Sequence, residues 1–200
     1  MRINTVPELR NAAAEDPFVP ATHPLFCPHS CPPVTASIRK ATPDDAKTLV
    51  DLILELAAYE KLLDEAEPSV ELLEEHLSEE ALTGCEALLA ETERDTAVGF
   101  ALFFHNYSTF QTNAGLYVED LFVRPTYRGE GIGFALFQRL AQIAEARGCR
   151  RIDWAVLDWN QEAIDFYGDL GAEPLNDWTT MRLGEDAIEE VATAEAGAAT

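Results

Sequence analysis

Residues 118–125 read VEDLFVRP, Arg128–Gly133 read RGEGIG, and 134–148 follow as FALFQRLAQIAEARG. The first stretch alternates like a strand and ends at a proline, and the last has the apolar spacing of an amphipathic helix. Glycines between a strand and a helix let the backbone turn tightly. They also leave the first helical amides pointing outward, with the positive end of the helix dipole behind them. Such a turn is a cradle for an anion, a pyrophosphate being a natural occupant, with Arg128 adding charge at its rim. No Lys-Ser/Thr pair follows the glycines, which excludes a nucleoside-triphosphate loop. The strands that precede it look antiparallel, which speaks against a dinucleotide-binding parallel sheet.

Working outward, VTASIRKA reads as a strand, and the segment from Thr42 reads as a helix with Thr42 as N-cap and Pro43 in its first turn. A second helix starts at about Ser69. CEALLAET and AVGFALFFHNY, split by ERDT, form an expected antiparallel hairpin, and GLYVEDLFVRP is a third long strand. After the glycine turn the expected order is helix, strand, helix, strand. Three segments result: an extension over 1–34, a domain over 35–184, and an Ala/Glu-rich tail over 185–200 that forms at most a frayed helix.

The formal charge is −22, with only three lysines in 200 residues. This field repels nucleic acid and anionic membranes and attracts small cations. No apolar run is long enough to span a bilayer and the N-terminus lacks a signal-like apolar core, so a soluble, cytoplasmic protein is expected. Cys85 and Cys149 read as core thiols. Cys27 and Cys31, with His23 and His29, sit in HPLFCPHSCPP, where CxxxC spacing and four prolines fit a metal site poorly; no metal is expected.

RGEGIG resembles the pyrophosphate loop of the GNAT superfamily of N-acetyltransferases, and NQEAIDFYGDLGA at 160–172 resembles a later helix of the same superfamily. AAYEKL around Tyr59, LYVEDLFVRPTYRG from Leu116 and AVLDWN from Ala155 resemble its diamine acetyltransferase branch, which includes spermidine/spermine and thialysine enzymes. AVLDWN and NYST at 106–109 look closer to the thialysine type. The likeness covers about residues 36 to 183. It implies an α/β fold with a mixed, mostly antiparallel sheet of six to seven strands, splayed between strands 4 and 5 and flanked by helices. It also implies acetyl-CoA as co-substrate, a small-molecule primary amine as acceptor, and a homodimer.

The resemblance assigns roles residue by residue. Tyr167 is the general acid for the thiolate, its alternative being a core aromatic beside Phe166. Glu119 binds the acceptor ammonium and helps remove its proton, and Asp120 binds the amine or partners another polar group. As neighbours on a regular strand, the two acids would point to opposite faces. The backbone of Leu121, Phe122 and Val123 aligns the pantetheine arm. Arg128, Gly129, Glu130, Gly131, Ile132, Gly133 and Phe134 hold the pyrophosphate. Asn160 and Ala163 contact the cofactor, Asn160 also being a candidate N-cap. Tyr59, Glu60, Asp153 and Trp154 line the acceptor side, and Trp159 and Trp178 read as packing or dimer surface. Two other classes stay open: a non-catalytic CoA-binding domain and a protein N-acetyltransferase.

Overall fold

The computed structural model describes residues 36–194 apart from 79, 80, 82 and 95. The extension with its Cys/His cluster lies outside them. The described chain falls into two compact units, one running to Ala155 and the other starting at Val156.

The first unit is a five-stranded sheet in the order β1 (Ala36–Lys40), β2 (Glu86–Thr92), β3 (Ala97–Ser108), β4 (Asn113–Val123) and β5 (Ile152–Trp154). Neighbours are antiparallel except β4 and β5, which are parallel. Helices cover both faces, and this is why the central strands carry long apolar runs rather than strict alternation. On one face α1 (Ala46–Glu60) and α2 (Val70–His76) meet Ala87, Leu89, Phe100 and Phe122; on the other α3 (Ile132–Ala146) meets Leu88, Val98, Phe103 and Leu116. Phe100, Phe103, Leu49 and Leu136 are fully buried. Each such side chain contributes about 1.5–3 kcal/mol relative to exposure.

Local signals place the helices. The Asp45 carboxylate accepts from Thr42 N at 2.8 Å and from Thr42 Oγ1 at 3.0 Å, closing a short 3-10 turn that runs straight into α1. Arg39 bridges the same carboxylate to Glu91 of β2 and holds Asp45 at a pKa of about 2. Ser69 caps α2 by accepting from Leu72 N at 3.2 Å. Arg124, just past β4, grips Glu55 of α1 through two 2.7 Å bonds and the Ala97 carbonyl through a third.

The second unit contains α4 (Gln161–Asp169) and α5 (Glu185–Thr193). The six to seven strands expected from sequence are corrected to five among the described residues, because no strand forms over 172–184. In that segment Leu175, Trp178, Met181 and Leu183 are all exposed. Their spacing is mostly three residues, not the two that would gather them on one face of a strand.

Candidate active site

β5 pairs only with Leu116, Tyr117 and Val118 of β4. From Glu119 to Val123 β4 has a partner on the β3 side alone among the described residues. An open row of backbone donors and acceptors is thus available to an extended ligand that adds like a strand. Leu121, Phe122 and Val123 lie on this stretch.

Opposite Leu102 and Phe103 the register slips, so that Leu102 faces Asp120 and Phe103 faces Val118, leaving Glu119 as an unpaired bulge residue. A bulge reverses the facing of every residue after it. Before it, Leu116 and Val118 belong to the α3-side core; after it, Leu121 and Val123 do, and Phe122 joins the α1-side core. Asp120 thereby turns toward α1, where with Glu60, Ile53, Leu56 and Leu62 it lines a cleft of about 210 Å³. The expectation of opposite faces for Glu119 and Asp120 assumed a regular strand; the bulge replaces that geometry with an exposed Glu119 and a half-buried Asp120. Burial first, then the charges of Glu119 and Glu60, push Asp120 up to about 6. Burial also raises Glu60. Both carboxylates lack a salt-bridging cation among the described residues.

Tyr59 stands at the same end of α1. Its ring lies 6.5 Å from that of Phe122 and 4.3 Å below the Arg128 guanidinium carbon. Arg128 also donates from Nε to the Val123 carbonyl at 3.1 Å, so it is turned toward β4 and α1. Gly129 and Gly131 have φ of 76° and 81°, and a Cβ added at either would meet nothing within 4 Å. The space over the turn is open. The first α3 hydrogen bond runs from Ala135 N to Gly131 O, so the amides of Ile132, Gly133 and Phe134 precede the ladder and aim out along the axis. Turn, positive φ and helix start together fit the diphosphate of a nucleotide thioester.

On β5, side-chain alternation separates the two residues expected on the acceptor side. Trp154 packs edge-on against Phe137 of α3 with centroids 5.1 Å apart, whereas Asp153 stands opposite Tyr117, accepts from Asn106 Nδ2 at 2.9 Å and forms an ion pair with Arg151, whose Nε lies 2.8 Å from Oδ2. Asn106 reaches Asp153 because Gly115 lies between them: a Cβ there would come within 2.3 Å of Asn106 Oδ1. Sequence reasoning missed Arg151 and saw Asn106 only within NYST; a glycine midway along an apolar strand was the available signal. The Cys85 thiol is raised by burial and by Glu86, Glu119 and Asp120, while Cys149 packs at the α3-side core.

In the second unit Asn160 caps α4 by accepting from Ala163 N at 3.3 Å, so its capping role is present. Tyr167 lies on α4 with its ring centroid 5.2 Å from that of Phe166. No group of three or more His, Cys, Asp or Glu suited to a metal occurs among the described residues, and none of their helices is long and apolar enough to cross a membrane.

A mixed α/β sheet whose fourth strand is bulged and half open, followed at once by a glycine turn at a helix N-terminus, is the arrangement of an acyl-CoA-dependent transferase. Residues 51–172 match the model of the acetyltransferase (GNAT) family, and the chain belongs to that family. It is an acetyl-CoA-dependent N-acetyltransferase. It is 38% identical over 164 residues to thialysine N-epsilon-acetyltransferase of Bos taurus, covering 78% of this chain and 96% of that protein. It is 40% identical over 107 residues to L-ornithine N5-acetyltransferase of Arabidopsis thaliana, covering 53% of this chain and 47% of that protein. Among solved structures, an integron cassette protein from the V. cholerae mobile metagenome matches with a TM-score of 0.66 and 28% identity, covering 80% of this chain and 98% of that one.

Proposed function

We propose that the chain acetylates a terminal primary amine of a small cationic acceptor carrying a second amine, a diamine, polyamine or diamino acid. The observation that carries this reading is the bulge at Glu119, which gives Asp120 to a cleft shared with Glu60 while keeping Glu119 exposed beside it. Carboxylates without a cation partner, partly desolvated, suit an ammonium guest. Thialysine and ornithine, named for the relatives above, are such molecules.

Acetyl-CoA supplies an acetyl group activated as a thioester. Glu119, with Asp120, holds the incoming ammonium and accepts its proton, leaving a neutral nitrogen to attack. The C–N bond forms as the C–S bond breaks, Tyr167 donates its phenolic proton to the departing sulfur, and the second proton shed by the acylated nitrogen restores the phenol, leaving a neutral amide and free thiol. The open β4 edge at Leu121, Phe122 and Val123 aligns the pantetheine arm between splayed strands, and the amides from Gly129 to Phe134 take the diphosphate. Asn160 and Ala163 contribute from the start of α4, and Tyr59 and Glu60 close the acceptor side. The exposed Trp178 and Met181 support pairing into a homodimer.

The test is CoA release from acetyl-CoA across lysine, thialysine, ornithine, putrescine, spermidine and a lysine-containing peptide. Turnover with the small diamino acceptors and not with the peptide is expected. Turnover confined to the peptide, or acetyl-CoA binding without release of free thiol, contradicts the reading.

A further inference from the structure

Arg151 immediately precedes β5, and its carbonyl accepts from Leu116 N at 3.1 Å, anchoring the residue beside β4. Ile152 and Trp154 face the α3-side core, so Arg151 and Asp153 share the opposite face, the one on which Tyr117 and Asn106 lie. Asp153 Oδ2 is taken by Asn106 Nδ2 and by Arg151 Nε. Among the described residues no hydrogen bond reaches Asp153 Oδ1 or the two terminal nitrogens of Arg151. The pair is only partly exposed and is fixed from both sides, by the strand and by the Asn106 amide. The Asn106 carbonyl oxygen is itself buried without a partner over Gly115, the geometry the strand tolerates in order to hold Asp153. What remains is one anionic oxygen beside two cationic donors.

We propose that Asp153 and Arg151 read the α-ammonium and α-carboxylate of a diamino-acid acceptor whose terminal amine lies at Glu119 and Asp120. The inference rests on the acceptor reading above and narrows it to amino acids. Asp153 stands opposite Tyr117, three residues before Asp120, so their Cα atoms are on the order of 11 Å apart. An extended lysine-like molecule spans about 6 Å from terminal nitrogen to α-carbon, and the protein side chains supply the remainder. The chain's charge of −22 repels a carboxylate, so an acceptor bearing one needs a local cation. Arg151 provides it in the forked geometry that matches a carboxylate.

The experiment compares kcat/KM for lysine with that for 1,5-diaminopentane, which lacks the carboxylate, in the wild type, Arg151→Gln and Arg151→Lys. The wild type should prefer lysine. Arg151→Gln should lower the lysine-to-diaminopentane ratio roughly 10- to 100-fold, mainly through KM for lysine, and Arg151→Lys should restore part of it. A change that lowers both acceptors in proportion, as general loosening of β5 would, overturns the inference while leaving amine acetylation intact; so does wild-type preference for the diamine. Acetyl-CoA binding with no turnover on either acceptor overturns the acceptor reading, and this inference with it.

Discussion

The guanidinium of Arg128 lies 4.3 Å above the ring of Tyr59 while its Nε donates to the Val123 carbonyl at 3.1 Å. One side chain thus ties the start of the anion cradle to the end of α1 and the end of β4. A cation over an aromatic ring contributes about 0.5–2 kcal/mol, and the carbonyl bond adds to it. Arg128→Ala should lower unfolding stability by about 1–2 kcal/mol and raise KM for the acceptor, because Tyr59 loses its clamp. Chemical denaturation and acceptor titration at saturating acetyl-CoA check both; an acceptor KM that does not move separates Arg128 from the cleft.

Asp120 titrates at about 6 in the folded chain against 3.8 for an unperturbed group. The folded state therefore disfavours its ionised form. The penalty is absent below pH 4, grows between pH 4 and pH 6, and is fully present above pH 6. Asp120→Asn should accordingly be more stable than the wild type at pH 8, by about 1–3 kcal/mol, and no more stable at pH 4. Activity should run the other way: kcat/KM of the wild type rises through an inflection near pH 6 that Asp120→Asn lacks. Thermal melts at the two pH values and the rate profile decide it.

Two glycines should fail for different reasons. At Gly99 an added Cβ would sit 2.6 Å from the Phe122 carbonyl oxygen, a backbone atom, so Gly99→Ala must push β3 and β4 apart. A loss of about 2 kcal/mol or more is expected. At Gly131 the space is open and only the φ of 81° resists, at about 1–2 kcal/mol. Gly131→Ala should therefore fold well and lose acetyl-CoA affinity. Calorimetric titration alongside melting temperature distinguishes the two.

Tyr167→Phe keeps the ring packed beside Phe166 and removes only the hydroxyl. With Tyr167 as proton donor, kcat should fall about 10²-fold with acetyl-CoA affinity nearly unchanged. Stopped assays of thiol release measure this, and an unaltered kcat assigns the proton to another group.

The glycine turn, the hairpin and the capped helices were legible because each is written in consecutive residues: glycines between a strand and a helix, Thr42 and Ser69 before apolar periodicity. The bulge at Glu119 was not, since it is a property of how β4 meets β3 and not of either strand alone. From it follow the facing of Asp120 toward α1 and the place of Phe122 in the α1-side core, which an unbroken two-residue period from Val118 would reverse. Arg151 escaped notice for a related reason. It pairs with Asp153, whose other partner, Asn106, is 47 positions away in sequence and reaches it only across Gly115. The C-terminal strand expected after α4 does not form among the described residues, and the spacing of Leu175, Trp178 and Met181 is that of neither face of a strand.

The account depends on β4 being divided by its bulge into a paired half and an open half that receives the pantetheine arm. A crystal structure of the full chain with CoA tests this most directly. The arm should be found hydrogen-bonded to the β4 backbone between Glu119 and Val123, with the diphosphate on the amides of Gly129 to Phe134. Coenzyme bound elsewhere, with that strand edge and turn vacant, would contradict it.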